Sequence, residues 1–213
     1  TLHNTLFPYT TLFRSDGIRA ALAEAGLDPA ETYDDGVKLR MQAPRSEGGA
    51  RGVAPLAAHR DTWGTNVMAQ VNWWAPVRPT TVERTVALFP AWFRRPVPND
   101  SAGWDFAELV RRLKADPSDT GYPLLPTATE PPPWHDALAL SVEPGDLVAF
   151  SGAHLHASVP NATERTRLSL EIRTVSAAEA AAGRGAPNVD GDAPRTTRQL
   201  FRHPEHGRLG RMA

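Results

Sequence analysis

Residues 167–175, RLSLEIRTV, form the cleanest alternating run in the chain. A period of two marks a strand with two different faces. Leu168, Leu170 and Ile172 share one face, while Arg167, Ser169, Glu171 and Arg173 share the other. An inward-facing row of such polar groups makes sense only if something polar binds there. The same chain is punctuated by 20 prolines and 16 glycines, which favour short strands and turns over a helical bundle. At 213 residues it suits a single domain able to bury a sizeable core.

Further strands are expected over 36–42 (GVKLRMQ), 67–77 (VMAQVNWWAPV), 85–89 (TVALF), 138–142 and 147–150, the last two joined at the turn Pro144-Gly145-Asp146. In the first of these, Lys38, Arg40 and Gln42 fall on one face; in the second, Gln70, Asn72 and Trp74 do. Helices are expected over 16–27, over about 102–115 with the stripe Phe106, Leu109, Val110 and Leu113, and after the capping box Ser176 and Glu179. Residues beyond about 184 are polar and Gly/Pro-rich and read as a surface tail.

Several function classes fall away on composition. The formal net charge of −1 comes without a long run of one sign, so neither nucleic acid nor an anionic membrane is called for as a partner. No apolar stretch approaches the roughly 20 residues that cross a bilayer. The absence of cysteine excludes disulfides and thiolate metal sites, and fits a reducing cytosol. Oligomeric state leaves no trace in the sequence.

His59-Arg60-Asp61 is a His-x-Asp pair. Alone it means little, because seven histidines and 24 acids in 213 residues give about one such pair by chance. His203-Pro204-Glu205 is a second and reads as the accident, with no later histidine spaced to complete a site. The first pair is followed far downstream by GAHLHASVPN, residues 152–161. Two imidazoles and one carboxylate on one face, with the other face open, are what a non-haem iron centre that activates oxygen requires.

HRDTWGTNVMAQVNWW, EPGDLVAFSGAHLHASVPN and RTRLSLEIRTV together resemble the Fe(II)/2-oxoglutarate-dependent oxygenases, most closely their phytanoyl-CoA-hydroxylase-like branch. The resemblance covers roughly residues 36–175. It implies an all-β core, a double-stranded β-helix (jelly roll, cupin-like) with a few flanking helices, as one domain over residues 16–213. It implies iron held by His59, Asp61 and His156, with His154 the alternative to His156 and otherwise a pocket residue. It also implies 2-oxoglutarate and O2 as cosubstrates. Arg167, eleven residues after His156, stands where the family pairs an arginine with the far carboxylate of 2-oxoglutarate, and Ser169 would add a hydroxyl; Arg165 is the fallback. A guanidinium can grip a carboxylate with two parallel hydrogen bonds.

Gln70 and Asn72 are candidates for binding cosubstrate. Trp63 and Asn66, on the segment after the ligand pair, together with Arg40 and His154, are candidates for touching substrate; Trp63 reads equally as a core anchor. The implied reaction is hydroxylation of a small organic molecule with release of succinate and CO2. Members that halogenate lack the carboxylate ligand, so Asp61 disfavours halogenation. Two other readings stay open: a cupin-like isomerase or lyase that does not use 2-oxoglutarate, and a non-catalytic jelly roll that binds a small molecule. Residues 5–15, TLFPYTTLFRS, resemble a translated sequencing-library adapter. On that resemblance residues 1–15 are set aside as non-native.

Overall fold

The computed structural model describes residues 15–45, 54–117 and 120–209. Nearly all of the adapter-like segment lies outside the described residues, as do residues 46–53. Two antiparallel sheets form the molecule. The larger has the order β10-β9-β1-β8-β3-β6, with β2 also on β8, and the smaller has the order β5-β4-β7. The strands are β1 (Thr32–Asp34), β2 (Lys38–Gln42), β3 (Val71–Pro76), β4 (Val86–Leu88), β5 (Leu138–Ala139), β6 (Val148–Ser151), β7 (His156–Ser158), β8 (Arg167–Ser176), β9 (Arg202–His203) and β10 (Gly207–Arg208).

The alternating segment becomes β8, the ten-residue strand on which the large sheet is organised. One edge of β8 carries β1 and β2 in succession, and the other carries β3. Register sets the inner face. Gln42 is opposite Arg167, Arg40 opposite Ser169, Asn72 opposite Arg173, and Trp74 opposite Glu171. Directly opposed residues point to the same side of a sheet, so every charged residue of β8 faces the same way. The other side is apolar: Trp73 and Ile172 pack with Val37 and with Leu22 of helix α1 (Ser15–Glu24).

From β3 onward the chain steps between the sheets. β3 lies in the large sheet, β4 and β5 in the small, β6 in the large, β7 in the small and β8 in the large. The Pro144-Gly145-Asp146 turn therefore carries the chain from one sheet to the other rather than closing a hairpin. Gly145 takes φ +104° there, a conformation that favours glycine.

Two expectations are corrected. The strand expected from Val67 begins only at Val71, because the Gln70 N–H closes a turn onto the Val67 carbonyl. The C-terminal segment is no surface tail. Phe201 is buried with Val67, Val175 and Ala180, β9 pairs with β1, and His203 is buried with Nε2 on the Pro29 carbonyl. Helix α2 spans Asp61–Thr65, α3 spans Phe106–Ala115, and α4 spans Ala177–Ala181. Asp105 caps α3 by accepting the Ala107 N–H, and Phe106, Leu109 and Leu113 pack on Trp104. Half of the expected capping box forms at α4. The Ser176 hydroxyl accepts the Glu179 N–H, but the Glu179 carboxylate turns to Arg184.

Asp190 fastens the C-terminal segment to the core. Its carboxylate accepts the Trp63 indole N–H at 2.7 Å, the Arg60 Nε–H at 3.2 Å and the Val97 N–H at 3.0 Å. Removing it strands three donors at once, one of them a buried cation. Asp190→Ala is expected to cost roughly 3–5 kcal/mol, the range for breaking a buried ion pair by deleting one partner. A thermal-unfolding series checks this, with Asp190→Asn recovering part of the loss. An unchanged midpoint would show that the segment is not fastened here.

Candidate metal centre

Where the chain leaves β6 for β7 it makes a turn over residues 152–155. That turn is tied at its first residue, with the Gly152 N–H on the Gln70 carbonyl and the Thr62 N–H on the Gly152 carbonyl. Just beyond it, His59 and His156 form an isolated antiparallel bridge and exchange both backbone hydrogen bonds, at 2.9 and 3.0 Å. A bridged pair places its side chains on one side, and the two rings lie 4.2 Å apart, centroid to centroid. Two residues after His59, Asp61 opens helix α2. One ligand atom each from His59, Asp61 and His156 lies within 4.8 Å of the others, the one such group of histidine and acidic residues among those described. His154 is not in it.

The hydrogen bonds around the trio leave its metal-facing atoms free. His59 Nδ1 lies 2.7 Å from the Ala57 carbonyl, and His156 Nδ1 lies 2.9 Å from the His154 carbonyl. A carbonyl oxygen can only accept, so each ring donates from Nδ1, and in the neutral tautomer Nε2 is the atom that offers a lone pair to a metal. That is the arrangement in which a backbone carbonyl orients a metal-binding imidazole. His59 Nε2 faces Asp61 Oδ1 at 3.4 Å, a juxtaposition that a proton or a metal cation between the two atoms would hold together.

The other oxygen of Asp61 is occupied. Oδ2 accepts from Asn72 Nδ2 at 2.9 Å and Gln70 Nε2 at 3.2 Å, with Arg173 Nη1 at 3.7 Å. The amides are themselves oriented, since Gln70 Oε1 accepts the Thr65 hydroxyl and Gln70 Nε2 also donates to Asn72 Oδ1. Gln70 and Asn72, expected to bind cosubstrate, instead hold Asp61. Burial alone would raise the Asp61 pKa, but the Arg173 guanidinium together with His59 and His156 outweighs it and keeps the carboxyl far below the usual range. Arg173 is in turn paired through Nε with Asp35, which also accepts the Arg173 N–H and pairs with Lys38.

The other expected site residues divide. Trp63 is 1% exposed within the core of Ala58, Phe89, Val97, Leu155 and Ala157, and its N–H is committed to Asp190; as a substrate contact it is corrected to a core anchor. Asn66 is exposed at φ +50° and ends helix α2, a left-handed position that asparagine tolerates. Arg40 is paired with Glu171 at 2.9 Å. His154 packs its ring 5.3 Å from Phe93, centroid to centroid, with a buried Nε2 that has no partner among the described residues.

Arg167 is 2% exposed. It donates from Nη1 to the Thr85 carbonyl at 2.7 Å and from Nη2 to the Ser158 hydroxyl at 3.4 Å, and its Nε has no acceptor among the described residues. Among the described residues the hydroxyl of Ser169, fully buried on the same face, also lacks a partner, as do the Gln42 amide oxygen Oε1 and the Thr85 hydroxyl. Burial lowers the Arg167 pKa to about 10, so the group stays charged at neutral pH. No carboxylate pairs with it among the described residues.

Arg60, between the two ligands in sequence, escaped the sequence reading. It is 2% exposed and spends its guanidinium on the carbonyls of Trp92, Phe93, Arg95 and Ala153 and on Asp190. An arginine inside a His-x-Asp motif gives no sequence signal of such burial.

No protein-family model matches the chain, and no curated protein matches its sequence. Solved structures do. EvdO2 from Micromonospora carbonacea var. aurantiaca, in a crystal structure complexed with 2-oxoglutarate, is similar with a TM-score of 0.50 at 16% identity, over 76% of this chain and 64% of its own. The non-heme monooxygenase ThoJ gives a TM-score of 0.47 at 16% identity, over 75% of this chain and 52% of its own. SnoK, a non-heme alpha-ketoglutarate-dependent carbocyclase from nogalamycin biosynthesis, gives 0.44 at 15%, over 68% and 50%. The chain thus spans between half and two thirds of these proteins' lengths, and the likeness to EvdO2 is one of fold.

Two predictions follow from the geometry. A Cβ on Gly152 would lie 2.7 Å from Gln70 Nε2, so Gly152→Ala must displace the amide that holds Asp61. We expect a folded protein with divalent-metal affinity reduced about 10-fold or more, the scale for losing an orienting partner of a ligand; calorimetry with Fe(II) or Ni(II) checks this. Burial, then His59, lowers the His156 pKa from 6.5 to about 4, and burial lowers that of His154 as well. Between pH 6.5 and 4 the unfolded chain therefore binds protons that the folded chain refuses. Metal-free protein should lose stability as pH falls through that window, and His156→Asn should flatten the slope in denaturant titrations.

Proposed function

We propose that this chain is a non-haem Fe(II)/2-oxoglutarate-dependent oxygenase of jelly-roll fold that hydroxylates a small organic molecule, with release of succinate and CO2. The observation that carries this is Arg167: a buried guanidinium without a carboxylate partner among the described residues, beside a serine hydroxyl without a partner, on the sheet face that also holds the support of Asp61. An unmatched buried cation is costly and calls for an anion. On this face Lys38, Arg40 and Arg173 are ion-paired with Asp35, Asp61 and Glu171, whereas Arg167 has no carboxylate at ion-pair distance among the described residues, so an anionic cosubstrate would supply the missing charge.

In this reading His59, Asp61 and His156 hold the iron. Arg167, with Ser169 beside it, binds the distal carboxylate of 2-oxoglutarate. Iron bound there supplies the activation of O2 coupled to decarboxylation of the cosubstrate. The protein's part is to keep both Nε2 lone pairs and Asp61 Oδ1 turned toward one point while the remaining coordination positions stay open. The 2-oxoglutarate bound to EvdO2, a protein of similar fold, supports the assignment by analogy.

Anaerobic addition of Fe(II) and then 2-oxoglutarate tests it without knowledge of the substrate. Wild type should develop the visible charge-transfer band of iron-chelated 2-oxoglutarate. His156→Ala should abolish the band, Arg167→Ala should raise the 2-oxoglutarate concentration needed by at least about 100-fold, as for loss of a charged hydrogen-bonded pair of roughly 3 kcal/mol, and Asp61→Ala should abolish turnover. Tight iron binding with no band would point to a metalloenzyme of other chemistry.

A further inference from the structure

Apart from the trio, a pocket of about 410 Å³ is lined by Arg78, Pro79, Arg84, Glu164, Arg165 and Thr166. Its charge is one-sided. Among the described residues that line it, Glu164 is the single acid, and it is paired outward with Arg45, both side chains being mostly exposed. Arg78, Arg84 and Arg165 have no carboxylate partner among the described residues. For Arg78 and Arg165, which are exposed, that is ordinary. Arg84 differs. It is 7% exposed, its Nη2 donates to the Pro79 carbonyl at 2.9 Å, and its buried Nε has no acceptor among the described residues. A guanidinium held this way carries unspent hydrogen-bonding capacity and an unmatched charge.

The pocket is distinct from the Arg167 site, although the two share backbone. Arg84 lines the pocket while the carbonyl of the next residue, Thr85, accepts from Arg167; Thr166 lines it while Arg167 faces the sheet interior. Its volume lies within the roughly 300–1,000 Å³ of sites that take small molecules, larger than a bare ion needs. Three guanidinium groups brought from two segments suit a tetrahedral dianion, whose oxygens can take several forks at once, better than a planar carboxylate, which is filled by one or two. We propose that this pocket binds a phosphate-bearing small molecule through Arg78, Arg84 and Arg165. The proposal is independent of the oxygenase reading, and its test needs neither metal nor cosubstrate.

The experiment is calorimetric titration of the metal-free chain with glycerol phosphate at constant ionic strength, repeated with excess 2-oxoglutarate present as a dicarboxylate competitor. Saturable one-to-one binding is expected, undisturbed by 2-oxoglutarate. Arg165→Glu, at an exposed position that folding does not need, should weaken it at least tenfold, and Arg84→Lys should weaken it by keeping the charge but losing the fork. Absence of saturable binding, equal affinity in Arg165→Glu, or displacement by 2-oxoglutarate would each overturn the assignment.

Discussion

A carboxylate offered to a metal has two equivalent oxygens, and a site that leaves both free lets the ligand swing. Here Oδ2 of Asp61 is taken by two amides with an arginine close by, so Oδ1 is the oxygen turned toward His59. That single commitment reaches through much of the large sheet. Gln70 and Asn72 belong to or adjoin β3, Arg173 to β8, and Asp35, which holds Arg173, follows β1. Thr65 of helix α2 fixes the Gln70 amide. Gly152 must be glycine because that amide lies against it. Around Asp61 the polar inner face is therefore not a set of independent surface charges but a connected network of hydrogen bonds and ion pairs, in which each member fixes the next.

The two histidines are positioned differently, by backbone alone. Their mutual bridge sets the distance between them, and a carbonyl two residues upstream of each ring fixes its tautomer. Desolvation keeps His156 neutral well below physiological pH. A ring that needs no deprotonation accepts a metal without competing with protons. Rigid backbone for the nitrogens and a braced side chain for the oxygen give a ligand set largely formed before any cation arrives, which reduces the ordering cost of binding.

How much of this the sequence revealed follows from periodicity. In β8 the alternation of Arg167, Ser169, Glu171 and Arg173 is a local property, and both strand and facing follow from it. The His-x-Asp pair and the distant GAHLHAS segment were visible as residue types, but their convergence depends on the sheet-to-sheet turn at Gly152, which spacing alone does not encode. Gln70 and Asn72 stood out as polar residues in an apolar run. Their partner was invisible, because Gln70 lies in a turn and the donor-acceptor pairing with Asp61 is tertiary. Composition misled in the C-terminal segment. Its glycines and prolines signal loops, yet Asp190 and Phe201 are single residues that anchor a loop-rich stretch, and single residues leave no periodic signal.

Arg60 shows why that segment matters to the site. It sits between the two ligands at positions 59 and 61, points away from them, and uses all five guanidinium hydrogens on four carbonyls and Asp190. Four carbonyls gathered around one cation disperse its charge but do not cancel it; the Asp190 carboxylate does. The bond from Arg60 to Ala153 also reaches the turn that precedes His156, so one side chain ties the segment bearing the first two ligands to the segment bearing the third. The geometry of a site assembled from residues 59, 61 and 156 thus depends on a carboxylate at position 190 that touches none of them. A truncation that spared every ligand and every strand of the inner face but removed Asp190 would still release the clamp that keeps the two ligand-bearing segments together.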